Sequence, residues 1–140
     1  MSDKLSGVHP VLAAKALKII ELAKADGIEL RVVQGFRSFA EQDALFRQRP
    51  KVTNARGGQS NHNYGLAVDF GVFVTGKYQT DAKHYTCVGK YANAVGLEWG
   101  GSWAHFKDLP HVQFRGLEKP SVYQNILAKK GLADIWLRFK

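Results

Sequence analysis

Cysteine is nearly missing from this chain: Cys87 is the only one. A lone cysteine excludes an intramolecular disulfide and any thiolate zinc cluster, so a metal site here must be built from nitrogen and oxygen ligands. Long apolar runs are missing too. No window approaches the roughly 20 residues that a membrane span requires, so no stable membrane insertion is expected. Residues 1–7 are polar and no extended apolar stretch follows them, so no secretory signal peptide is expected either. Internal repeats, linkers and low-complexity segments are absent, and a single domain over residues 1–140 is expected.

What is present fits an ordinary globular protein. The chain has 140 residues, 45% of them hydrophobic and 23% charged, enough to bury a core without covalent staples. Lysine and arginine number 20 against 12 acidic residues, a formal net charge of +8. Such an excess favours encounter with polyanions. The basic residues are scattered, with no run longer than two, which argues against a nucleic-acid-binding tail.

Periodicity outlines the elements. Pro10 suits a first helical turn, Leu12, Ala16, Ile19, Ile20 and Ala23 recur at helical spacing, and Gly27 is a plausible stop. Residues 28–34 read as a strand broken by Gly35, residues 40–49 as a short helix ended by Pro50, and residues 51–63 as a loop. Residues 66–74 return to strand character, with Val68 and Phe70 on one face and Ala67 and Asp69 on the other. A helix over 84–95 is followed by an aromatic, glycine-rich loop over 98–103. In a strand over 111–115, His111, Gln113 and Arg115 share one face and Val112 and Phe114 the core face. A helix over 121–130 precedes Trp136, Leu137 and Phe139, which are expected to pack back on the body. Strands and helices mixed in this way predict an α+β domain.

Two segments carry chemistry. Residues 60–69 read S-N-H-N-Y-G-L-A-V-D, and residues 108–111 read D-L-P-H. Catalytic zinc takes three imidazole or carboxylate ligands and keeps a fourth position for water. His62, Asp69 and His111 supply such a set, leaving Asp108 to act as a base. The turn at Tyr64-Gly65 can bring a loop histidine to a strand aspartate. Asp69 lies within an otherwise apolar strand, where an unpaired charge would be costly and a cation partner is expected. The plainer alternative makes His62 an exposed loop residue, Asp69 a strand-end cap and His111 a core histidine.

The first segment resembles the S-x-H-x-x-G-x-A-x-D signature of the M15 zinc peptidases, the VanY and VanX D,D-peptidase group. The resemblance is strongest to its L-alanyl-D-glutamate endopeptidases of bacteria and bacteriophages. It extends to V-x-x-G-x-R-S at 32–38, Glu41-Gln42, G-L-x-W-G-G-x-W at 96–103 and D-x-P-H from Asp108, and covers roughly residues 8–116. It implies a Hedgehog/D,D-peptidase-like fold, a small antiparallel sheet with flanking helices. It implies Zn2+ on His62, Asp69 and His111, Asp108 as general base with zinc-bound water as nucleophile, and Arg37 as a catalytic, substrate-clamping residue. Gln42 and Ser60 follow as further substrate contacts. Glu98 is a rival base, with orientation of a ligand histidine the favoured role. Trp99 and Trp103 suit either a substrate groove or the core. Cys87 reads as core and His9 as a helix start; His84 and His105 have no motif support.

The resemblance implies hydrolysis of the L-Ala–D-Glu bond of the peptidoglycan stem peptide by a monomeric endolysin with no separate wall-binding domain. With no signal peptide, such a protein accumulates in the host cytoplasm and reaches the cell wall or periplasm after holin-type permeabilisation of the membrane. The alternatives are a D-Ala–D-Ala carboxypeptidase or dipeptidase, and a non-catalytic, zinc-stabilised wall-binding module. A nucleic-acid-binding role lacks any motif.

Overall fold

A computed structural model describes residues 3–139, with the side chain of Asp3 left aside. Helix α1 (Pro10–Ala25) opens with His9 as its cap, the imidazole Nδ1 accepting from the Val11 amide at 3.0 Å. Strand β1 (Glu29–Gln34) leads to α2 (Phe39–Arg47), where Ser38 and Glu41 satisfy each other's backbone amides in a capping box. Then come β2 (Ala67–Val74), β3 (Lys77–Gln79), α3 (Thr86–Ala94), β4 (Glu98–Trp99), β5 (His111–Gln113), α4 (Pro120–Lys130) and α5 (Leu132–Trp136).

The sheet is antiparallel, in the order β1-β2-β5-β4. Strand β2 is its centre: β1 lies along one edge, while β5 and then β3 share the other. Its two faces differ because side chains alternate. Val68, Phe70 and Val112 enter the core with Leu12, Ala16 and Ile19 of α1 and Val88 and Ala92 of α3. The opposite face carries Asp69, His111, Gln113 and Glu98. Register fixes their order, Asp69 pairing with His111 and Gln113 with Glu98. The expected antiparallel sheet with flanking helices is the fold observed.

The C-terminal helices close the molecule over the other end of the core. Tyr123 and Ile135 are buried, the Trp136 indole donates to the Tyr64 carbonyl at 2.8 Å, and Phe139 stacks on Phe114 with ring centroids 4.7 Å apart. Leu137 does not join them: it is 73% exposed, because α5 ends at Trp136 and the next side chain turns to solvent. Three further expectations are corrected. Residues 98–103 are not simply loop, since Glu98 and Trp99 pair with β5. Strand β5 ends at Gln113, so Arg115 leaves the polar face and donates to Asn93 at 2.8 Å. Strand β3 lies between residues 66–74 and 84–95, a stretch for which no element was expected.

Candidate metal centre and its cleft

His62 lies in a 3-10 turn (Asn61–Tyr64) capped by Ser60, whose hydroxyl accepts from the His62 amide at 3.2 Å. Gly65 ends that turn with φ 70°, a left-handed conformation in which a side chain is strained. A Cβ there would also collide with the Gly7 carbonyl. The chain can therefore turn sharply from His62 into β2, and Asp69 follows on the strand's polar face. Strand β5 brings His111 beside it, and His62, Asp69 and His111 offer ligand atoms that all lie within 4.8 Å of one another. Of the plainer reading, the exposed loop residue fails, since His62 is 3% exposed; His111 is buried as a core histidine would be, at 6%, but its ring nitrogens meet the Asp69 and Gln113 side chains.

Hydrogen-bond polarity tests whether a cation suits this group. His62 Nδ1 lies 2.8 Å from the Gly35 carbonyl, which can only accept, so Nδ1 carries a proton and Nε2 is the nitrogen turned toward Asp69 Oδ1, at 3.3 Å. His111 Nε2 meets the Gln113 side-chain oxygen at 2.7 Å, so its Nδ1 faces the same carboxylate oxygen at 3.1 Å. A ring nitrogen of each histidine is thus aimed at one carboxylate oxygen, so a proton, or a metal cation in its place, must lie between them. A nitrogen-rich donor set with one carboxylate suits zinc.

The electrostatics agree. Burial would raise the Asp69 carboxyl, but hydrogen bonds from His111 and His62 outweigh it and hold Asp69 well below the usual carboxylate range. Burial would lower His111, but the hydrogen bond and charge of Asp69 dominate, and its pKa stands above that of an ordinary histidine. Asp108 Oδ2 lies 3.7 Å from His111 Nδ1 at the half-exposed mouth of the group. Burial and the neighbouring Asp69 charge raise its pKa, against the partial offset of His111, His62 and Arg37.

Arg37 faces Asp69 from the other side, Nη2 to Oδ2 at 3.6 Å. Its Nη1 donates to Gln42 at 2.9 Å, and its Nε is buried with no hydrogen-bond partner among the described residues. Burial lowers the guanidinium pKa. Gln42 departs from expectation. It is fully buried, with its amide committed to Arg37 and the Ala55 carbonyl, so it cannot touch a substrate and instead holds Arg37 in place. Ser60 combines its capping role with a place on the cleft wall.

A cleft of about 440 Å³ opens over these groups, lined among others by Arg37, Ser60, His62, Asp69, Trp103 and Asp108. The two tryptophans divide their roles. Trp103 lines the cleft with its ring 5.3 Å from that of His111. Trp99 packs between Gly89 and Gly101, where any Cβ would strike its ring, and donates to the Leu109 carbonyl at 2.7 Å. Three residues escaped the sequence reading as parts of the site. Asn63 ties the loop at 58–60 to the backbone of Arg37 and Ser38. Gln113 and Asn61 form a polar pair beside His111, with Asn61 donating to Gln113 at 3.1 Å. The parity of β5 had placed Gln113 on the His111 face without assigning it a role.

Fold and site together define a hydrolase scaffold with a metal-ready cleft, and comparison with known proteins agrees. Residues 53–114 match the family described as D-alanyl-D-alanine carboxypeptidase, within M15. The chain is 40% identical over 123 residues to the peptidoglycan L-alanyl-D-glutamate endopeptidase CwlK of Bacillus subtilis, covering 77% of this chain and 74% of that protein. It is 35% identical over 107 residues to the L-alanyl-D-glutamate peptidase of Listeria phage A118, covering 72% of this chain but 36% of that longer protein. The solved L-Ala D-Glu endopeptidase ChiX of Serratia marcescens superposes with a TM-score of 0.59 at 32% identity, over 80% of this chain and 84% of that one. The chain belongs to the M15 family of metallopeptidases.

Proposed function

We propose that this protein is a zinc endopeptidase that hydrolyses the L-Ala–D-Glu bond of the peptidoglycan stem peptide. The observation that carries the reading is the convergence of His62, Asp69 and His111, with one ring nitrogen of each imidazole directed at Asp69. Those three residues would hold the ion. Zinc bound there supplies Lewis acidity, which makes water nucleophilic near neutral pH and polarises the scissile carbonyl.

The chain's own groups do the rest. Asp108, half exposed and with a raised pKa, takes the proton of the attacking water and then delivers it to the leaving amine. Arg37, fixed by Gln42 and Asp69, keeps a positive charge at the floor of the cleft for a substrate carboxylate or a developing oxyanion. Trp103 offers an aromatic wall beside the reacting bond. The bond choice is supported by the named activities of CwlK, the phage A118 peptidase and ChiX. The family description supports a second reading, removal of terminal D-alanine.

We propose further an endolysin role, for which the phage origin of one relative is the support; in that role the protein would act as a monomer and pass from the host cytoplasm to the wall after a holin permeabilises the membrane. Residues 1–140 would then form one catalytic domain. Metal content and turnover test the mechanism together. One zinc per chain is expected, lost in His62→Ala and His111→Ala, whereas Asp108→Asn keeps zinc and loses turnover. An active Asp108→Asn beside an inactive Glu98→Gln would transfer the base role to Glu98.

A further inference from the structure

The side chains behind His111 form a chain of hydrogen bonds whose direction is fixed from one end. Glu98 is an acceptor, and its Oε2 receives the Trp103 indole N–H at 2.8 Å and the Gln113 amide N–H at 3.2 Å. That contact determines which way the Gln113 amide points: nitrogen toward Glu98, oxygen away from it. The oxygen then accepts from His111 Nε2 at 2.7 Å and from Asn61 Nδ2 at 3.1 Å. His111 is thereby held with Nε2 committed to Gln113 and Nδ1 turned toward Asp69, the nitrogen left to ligate a cation. The cause is the β4–β5 register, which sets Glu98 opposite Gln113, with His111 two residues along on the same face.

The geometry points to Glu98 and Gln113 as a positioning relay for the metal site: Gln113 holds the His111 ring in its ligating orientation, and Glu98 sets the direction of Gln113. Glu98 is not among the residues lining the cleft, and Gln113 reaches it with its amide already committed to His111, Asn61 and Glu98. The relay rests on the zinc reading above. It also assigns Glu98 a task other than proton transfer, with its Oε2 receiving two N–H donors. Partners of this kind behind a ligating histidine typically change metal affinity by about 10–100-fold.

Competition against a chromophoric chelator, using the intact protein and zinc, reads the relay independently of turnover. Gln113→Leu removes the acceptor and is expected to weaken zinc binding by about 10–100-fold. The exchanged pair Glu98→Gln/Gln113→Glu keeps an acceptor facing His111 and a donor facing position 113, and is expected to hold zinc within about 3-fold of wild type, a small part of that range. Nitrogen-15 spectra of the zinc-loaded histidines add a signature that loss of packing alone would not produce. His111 should bind through Nδ1 in wild type and in the exchanged pair, and through mixed nitrogens in Gln113→Leu. Unchanged affinity and Nδ1 ligation in Gln113→Leu would overturn the relay, as would a folded exchanged pair that fails to hold zinc. A wild-type protein that takes up no zinc would overturn the metal reading and the relay with it.

Discussion

Asp108 and Asp69 are carboxylates a few ångströms from the same histidine, yet their surroundings drive them in opposite directions. Asp69 receives both imidazoles and stays ionised, while Asp108 is pushed up by burial and by the Asp69 charge. One is suited to hold a cation and the other to exchange a proton. Replacing Asp108 by Asn is therefore expected to lower kcat by about 10²–10⁴-fold with zinc retained, measured by muropeptide turnover and metal analysis. Gln42 acts through Arg37. Gln42→Leu strands a buried guanidinium N–H and the Ala55 carbonyl, and is expected to cost about 1–3 kcal/mol in urea unfolding while raising KM. An unchanged urea midpoint and KM would show that Arg37 needs no such support. Motif spacing located both residues in the sequence. It could not show that Gln42 faces inward, because burial depends on what α2 packs against.

At the level of elements, the site depends on two very short strands. Strand β2 was legible from the alternation of Val68 and Phe70 against Asp69, and α1 from its helical spacing, since each is long enough to show a period. Strand β4 has two residues followed by Gly100 and Gly101, so its sequence looks like loop, and only pairing with β5 makes it a strand. The Glu98–Gln113 contact follows from that pairing across 15 residues and is invisible to local pattern. Trp99 holds β4 in place by filling the space over Gly89 of α3. Gly89→Ala is expected to cost about 1–3 kcal/mol through overpacking, read as a lower urea midpoint, with reduced zinc affinity as β4 shifts. A variant with wild-type midpoint and zinc affinity would separate β4 from the α3 contact.

Over the whole molecule, two electrostatic consequences follow. Without metal, His111 has a raised pKa, so its contribution to stability is complete below about pH 6.5 and is lost as pH rises through the folded value. Asp69 works the other way, contributing above the ordinary carboxylate range and losing that contribution as pH falls through its depressed value. Chelator-treated protein should therefore lose thermal stability as pH rises above about 6.5, and zinc should abolish the loss. Equal melting profiles with and without zinc would deny the ion its place among these residues. The second consequence concerns the wall. Arg47, Arg49, Lys51 and Arg56 are exposed, and no acidic residue occurs between Asp43 and Asp69. Residues of this stretch line the cleft, so adsorption to anionic wall polymer should weaken as salt rises. A flat response up to high ionic strength would remove the charge from the account.

The central claim is the bond that is cut. Purified peptidoglycan digested by the zinc-loaded protein, with the new termini identified by mass spectrometry, tests it most directly. The account predicts stem peptides that begin with D-Glu and glycan strands that keep a single L-Ala in place of each cleaved stem. Release of free D-Ala with no new D-Glu terminus would make the protein a carboxypeptidase, and intact wall after incubation would contradict the peptidase reading altogether.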